Sequence, residues 1–234
     1  MELRALTCDT YGTLVDWRGS ILDELRAFGK KRGFDRDWEA FLTDWKSCYR
    51  TGMDKVNAGE WPWTTIDAIY RRRLDEVLRA YDIAGLGEQE RDQLNQVWWR
   101  LRPWPDSVAG LTRLRTRYII TPLSNASFAG MVHLAPSAAL PWDCIITAEN
   151  ARRYKPAPEV YGTAIGLLGL RPGEVMMVAA HNYDLAAARS HGMRTAFVPR
   201  PTEYGATQTT DLVPESDWDV VAKDMEDLAR TVGT

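Results

Sequence analysis

The chain has little of what staples, anchors or attracts. Only three cysteines, Cys8, Cys48 and Cys144, occur among 234 residues. They are odd in number, far apart and outside any Cys-x-x-Cys spacing, which argues against a disulfide framework and for reduced thiols in a cytoplasm. With so few thiols and three scattered histidines, His133, His181 and His191, a structural zinc is not expected. No apolar run approaches the ~20 residues of a membrane span, and the N-terminus lacks a signal-peptide pattern. A formal net charge of −3 makes no electrostatic case for nucleic acid or a membrane surface. Internal repeats and low-complexity segments are also missing. These absences leave a soluble, cytoplasmic globular protein. At this length it buries roughly three quarters of its unfolded surface and holds one large domain, or a core with a smaller insertion.

Tryptophan, by contrast, is crowded. Trp17, Trp38, Trp45, Trp61, Trp63, Trp98 and Trp99 account for seven of the ten and fall between residues 17 and 99. Such crowding suits core packing, a subunit interface, or a dry apolar pocket over a small substrate.

The first dozen residues organise the rest. Arg4-Ala5-Leu6-Thr7-Cys8 has the length and composition of a buried parallel strand, and Asp9-Thr10-Tyr11-Gly12-Thr13-Leu14 follows at once. Asp9 therefore stands at the carboxyl end of a strand, where open α/β sheets hold their ligands. Taken alone it reads first as a turn cap. The sharper reading is a carboxylate nucleophile, with Gly12 letting backbone approach a substrate and Thr13 donating its hydroxyl.

From Ser20 to about Arg102 the periodicity is helical. Ile21, Leu22, Leu25 and Phe28 form one stripe, stopped by Gly33; Trp38, Phe41, Leu42, Trp45 and Tyr49 form a second. A third runs from Ile66 to Leu78, and a fourth from Leu94 to Leu101. After Pro103-Trp104-Pro105 strand and helix alternate: strands are expected at 118–123, 144–146, 175–179 and 195–198, and a final helix from about Trp218. The pattern specifies an α/β protein: a doubly wound parallel-sheet, Rossmann-like core of residues 1–16 and 103–234, with an inserted all-helical cap of residues 17–102.

Strand ends then supply polar residues in order. Ser124-Asn125 follows the second core strand, Lys155-Pro156 precedes a helix with Tyr161 six residues on, and His181-Asn182-Tyr183-Asp184 follows a later strand. Singly these are turn residues, a surface lysine and a helix cap. Together they bring a carboxylate, a hydroxyl, an ammonium and a second carboxylate to one sheet edge, which coincidence explains poorly.

This order of motifs resembles the haloacid dehalogenase superfamily over essentially the whole chain. Most members are magnesium phosphatases with a second Asp two residues after the nucleophile; here that position is Tyr11, and the motif around Asp184 lacks the paired acids magnesium wants. Both features are similar to the L-2-haloacid dehalogenase branch, whose first motif reads Asp-x-Tyr-Gly-Thr and which uses no metal. Lys155-Pro156-Ala157-Pro158 with Tyr161 agrees with that branch. Its usual cap arginine after a tryptophan is replaced by Trp45-Lys46, with Arg50 a turn later.

The resemblance implies metal-free, cofactor-free hydrolysis of short L-2-haloacids to 2-hydroxy acids, with water as co-substrate and a homodimer as the assembly. Asp9 would form an ester at carbon 2, Asp184 would orient the hydrolytic water, Lys155 would keep Asp9 ionised, and Ser124 would complete the catalytic set. Substrate contacts are expected from Thr10, Tyr11, Thr13, Trp45, Lys46, Arg50, Asn125, Tyr161, His181 and Asn182. Two other readings stay open: a magnesium-dependent phosphatase on a small phosphometabolite, and a non-catalytic relative that binds a small carboxylate.

Overall fold

Ala5–Cys8 form strand β1 with no exposed residue among them, and a strand buried on both faces must lie inside a sheet covered by helices. The computed structural model, which describes residues 2–234, builds that sheet around it. A tight turn leads to the short β2 (Val15–Asp16) and helix α1 (Trp17–Arg32), whose first turn is capped by the Asp16 carboxylate accepting from the Gly19 N–H. Gly33 ends α1 in the left-handed region, φ +74°. The helices α2 (Trp38–Lys46), α3 (Cys48–Asn57), α4 (Ile66–Ala80) and α5 (Glu88–Asn95) follow, and α5 continues as a 3₁₀ turn over Gln96–Trp99. The stripe expected as one helix through Tyr49 is thus two helices, parted at Ser47. The chain leaves this helical cap through β3 (Arg102–Pro103), antiparallel to β2, so entry and exit form one two-stranded neck.

The remainder alternates as α6 (Ser107–Arg115), β4 (Ile119–Ser124), α7 (Phe128–Ser137), β5 (Ile146–Thr147), α8 (Ala148–Ala151), α9 (Pro158–Leu168), β6 (Val175–Ala179), α10 (Asn182–Ser190), β7 (Arg194–Phe197), β8 (Val220–Val221) and α11 (Met225–Thr231). The expected helix from Trp218 begins only at Met225. A short strand comes first, because Val220 and Val221 pair with β7 and extend the sheet. The six core strands are parallel, in the order β5-β4-β1-β6-β7-β8. The chain moves outward from β1 on one side and then returns to its other side, so the crevice at the carboxyl end of β1 is a switch point. Register completes the placement: Cys8 lies level with Pro122 of β4 and Val178 of β6. The residues that follow each strand therefore emerge together.

The crowded tryptophans are mostly packing. Trp45 and Trp98 are fully buried, Trp98 stacks on Tyr70 at 4.0 Å with rings nearly parallel, and the Trp45 indole N–H donates to the Tyr70 carbonyl.

Candidate active site

Asp9 forms the floor of a cavity of about 160 Å³ between the sheet edge and the cap. Its Oδ1 accepts from Lys155 Nζ at 2.8 Å, and its Oδ2 accepts from the Thr13 hydroxyl at 2.7 Å and faces His181 Nδ1 at 3.1 Å. Thr13 is fixed in turn, because its oxygen accepts the Ala180 N–H at 2.9 Å. The turn needs glycine at position 12 on two grounds. Its φ is +88°, and a Cβ there would run into the Glu203 carboxylate. Burial by itself would raise the pKa of Asp9, but the Lys155 ammonium and the His181 ring hold it below the usual carboxylate range.

Lys155 is 1% exposed, and its ammonium bridges two carboxylates, Asp9 and Asp184, the latter at 2.5 Å. Burial works against its charge, yet the two carboxylates more than reverse this and raise its pKa above the ordinary value. The backbone on either side is pinned. Asn125 Oδ1 accepts the Lys155 N–H at 2.8 Å, while the Asn57 side-chain amide, reaching from the cap, pairs with both the N–H and the carbonyl of Tyr154 at 2.9 Å. A buried lysine with two acidic partners is no surface lysine.

His181 lies between two carboxylates: Nδ1 faces Asp9, and Nε2 meets Glu203 Oε2 at 2.9 Å. The other Glu203 oxygen accepts the Trp17 indole N–H at 3.0 Å. Burial disfavours a charged ring, but Glu203 and Asp9 together raise the His181 pKa well above its ordinary value. Both ring nitrogens thus face carboxylate oxygens, an arrangement that favours the protonated ring.

Across the cavity the cap presents Lys46 and Arg50. The Lys46 ammonium sits 4.4 Å over the rings of both Trp17 and Tyr49, and 6.0 Å from that of Tyr204. Among the described residues no carboxylate lies within salt-bridge distance of it, and burial pulls its pKa down to about 8. Arg50 lies over the Tyr183 ring at 5.0 Å. Tyr11, which also lines the cavity, donates its hydroxyl to the Trp98 carbonyl at 2.6 Å.

Several expected contacts lie elsewhere. Trp45 is sealed in the cap core, where its ring packs edge-on against Trp98. Tyr161 is fully buried behind the sheet edge and donates to Asp184 Oδ1 at 2.6 Å, so it fixes a carboxylate and does not face the cavity. The Asn182 amide is occupied by Asp211, the Val213 carbonyl, the Glu215 N–H and the Trp218 indole, tying down the C-terminal loop. Ser124 Oγ accepts the Ala126 N–H, and Asn125 serves the backbone of Lys155. Thr10 is buried with its hydroxyl unpartnered. Asp184 is fully buried, one of its oxygens accepting from Lys155 and the other from Tyr161.

Glu203 is the residue that sequence reading passed over. It lies in a loop without periodicity, and it reaches Asp9's turn only because the neighbouring Arg200 anchors that loop. Arg200 donates to the Thr13 carbonyl and makes a two-pronged pair with Asp106.

A family model described as haloacid dehalogenase-like hydrolase matches residues 3–192. An (S)-2-haloacid dehalogenase of Pseudomonas putida is 30% identical over 231 residues, covering 92% of this chain and 97% of its own. Another, of Burkholderia cepacia, is 29% identical over 218 residues, 87% of each chain. Among solved structures, an L-2-haloacid dehalogenase is 42% identical with a TM-score of 0.95 over 98% of both chains. A defluorinating L-2-haloacid dehalogenase is also 42% identical, with a TM-score of 0.96 over 99% of this chain and 96% of its own.

Proposed function

The chain belongs to the L-2-haloacid dehalogenase branch of the haloacid dehalogenase-like hydrolases, and we propose that it hydrolyses short L-2-haloacids through an ester on Asp9. One observation carries the reading. The nucleophile candidate is ionised and fixed by a buried lysine on one side of a small cavity, while the other side offers a cation that, among the described residues, has no carboxylate within salt-bridge distance.

Lys46 and Arg50 attract the substrate carboxylate and the departing halide. An Asp9 oxygen attacks carbon 2 in line, the carbon–halogen bond breaks, and the halide leaves with the bonding pair. Halide needs no proton, which agrees with Tyr11 in place of a second acid. Ester formation neutralises Asp9 and so removes one of the two carboxylates that keep His181 protonated. His181 then releases its Nδ1 proton and becomes a base, still donating from Nε2 to Glu203. A water attacks the Asp9 carbonyl carbon as its proton passes to His181 Nδ1. Lys155 stabilises the oxyanion. Collapse transfers that proton to the departing 2-hydroxy acid, and the Asp9 carboxyl returns its own proton to His181. One proton and one halide leave per turnover.

A magnesium ion, as phosphatases of this superfamily use, does not fit the donor set. The Lys155 ammonium occupies the position between Asp9 and Asp184, and Tyr11 brings no charge. We place the cap at residues 17–102, since the β2–β3 neck closes at Asp16 and Arg102. We also propose a cytoplasmic homodimer. Free thiols at Cys8, Cys48 and Cys144 support the compartment, and Phe128 and Val132, exposed one turn apart on α7, support the assembly.

The test is halide release from L- and D-2-haloacids with a metal chelator present. Release from the L series, unaffected by chelator, is the expected result. Activity lost on metal removal and restored by magnesium would overturn the assignment.

A further inference from the structure

The reaction cavity is small. At about 160 Å³ it matches roughly five waters of ~30 Å³ each, room for an acid of two or three carbons with its halogen. Beside it lies a second cavity of about 360 Å³ that contributes nothing else to the chemistry above. Trp17, Lys46 and Tyr204 line both spaces and form the partition between them. On the far side Leu22 and Leu42 add apolar wall, while Arg18 and Glu39, paired at 2.6 Å, make a charged rim.

The three parts of the partition are not equally fixed. Trp17 is buried and held by Glu203 through its indole N–H, and the Lys46 ammonium sits over its ring. Tyr204 is 38% exposed and rides on the loop after β7; its ring meets Trp17 edge-on, with ring centroids 6.0 Å apart, and its hydroxyl lies against the Glu203 carboxylate. Its ring is the removable panel.

We propose that Tyr204 sets the upper chain length of the acid, by closing the reaction cavity against a neighbouring apolar cavity able to receive an alkyl chain attached at carbon 2. The proposal rests on the dehalogenase reading for its substrate class, but the partition itself is independent of turnover. Each methylene buried against Trp17, Leu22 and Leu42 should strengthen binding roughly fourfold, so two or three of them give about fifteen- to sixtyfold.

The experiment compares wild type, Tyr204→Ala, Tyr204→Phe and the double variant Tyr204→Ala/Thr43→Phe, whose added ring at the rim refills the second cavity. Two series are measured. One is binding of unhalogenated straight-chain carboxylates, acetate to hexanoate, by quenching of tryptophan fluorescence; the other is kcat/KM for 2-bromo acids of the same lengths. Tyr204→Ala should raise the hexanoate-to-acetate preference tenfold or more in both series, whatever happens to absolute rates. Tyr204→Phe should keep the wild-type profile, since the ring and not the hydroxyl forms the panel, and the double variant should return toward it. An unchanged preference in Tyr204→Ala, or a wild type that already binds hexanoate as well as acetate, overturns the proposal. A step in carboxylate binding with no halide released from any acid would instead sink the dehalogenase reading and leave the partition standing.

Discussion

Two lysines face the same cavity from opposite walls, and the protein treats them in opposite ways. Lys155 belongs to the sheet edge, is sealed from solvent, and is shared by Asp9 and Asp184. Lys46 belongs to the cap, is half-buried, and rests on aromatic faces with no acidic neighbour in salt-bridge distance among the described residues. Their pKa values diverge accordingly: the first is raised above the ordinary lysine value, the second pulled down to about 8 by burial. The contrast separates a structural charge from a receptive one. A cation whose partners are all resident sets the state of the nucleophile. A cation left on rings, which offer a fraction of what a carboxylate would, is kept for an anion that arrives from solution.

Removing the resident cation should do the most damage. Lys155→Met strands two buried carboxylates near one another, which should destabilise the fold by about 3–5 kcal/mol and drive one of them to hold a proton. Without Lys155 the pKa of Asp9 rises, so the acid limb of the pH–rate profile moves to higher pH. Turnover at neutral pH should fall roughly 10³-fold. Thermal melting and a pH–kcat/KM series check both halves. An unshifted acid limb in a folded variant would mean that Asp9 owes its ionisation to other groups.

The next effect separates the two halves of the reaction. His181→Asn should leave the first halide release largely intact and slow ester hydrolysis by about 10²-fold, the lower end of the general-base range. Rapid mixing should then show a burst of about one halide per site, with the ester detectable by protein mass. Glu203→Gln removes the carboxylate on Nε2, so the His181 pKa falls and the acid limb of hydrolysis moves to lower pH, even as its plateau drops. Equal slowing of both steps in His181→Asn, with no burst, would return the water to Asp184.

The same contrast explains what was legible in the sequence. Asp9, Lys155 and Asp184 follow strands or precede helices whose periodicity is plain, and the parallel register carries them to one edge. The parallel sheet therefore follows from the alternation of strand and helix, and the edge cluster follows from strands that all end at one side. Contacts made by side chains on irregular segments leave no such trace. Glu203 sits in a loop, and its role depends on the Arg200 anchor to Thr13 and Asp106, positions distant in sequence. Trp45 fails in the reverse direction, because a tryptophan preceding the cap cation looks like pocket lining, while helical geometry turns it into the core. Tyr161 and Asn182 share a cause: each is polar and near the motif, yet each side chain is spent on a buried neighbour.

The smallest expected effect is the most specific to the cap. Lys46 and Arg50 lie four residues apart and border the cavity together, and a charge-assisted hydrogen bond to a substrate anion is worth roughly 1.5–3 kcal/mol. Lys46→Met or Arg50→Met should therefore lower kcat/KM by about ten- to a hundredfold. Their pH dependences should differ. Lys46 loses its proton as pH rises through about 8, and the neutral amine no longer attracts a carboxylate, so KM should climb on the alkaline side while kcat changes less, because bound anion favours the protonated form. Lys46→Met should show a raised but level KM across that window, and Lys46→Arg, which keeps its charge, should stay level nearer the wild-type neutral value. Arg50→Met should retain the alkaline climb, since Lys46 is still there to titrate. An alkaline climb that survives in Lys46→Met would assign it to another group and leave Arg50 as the anion's principal cation.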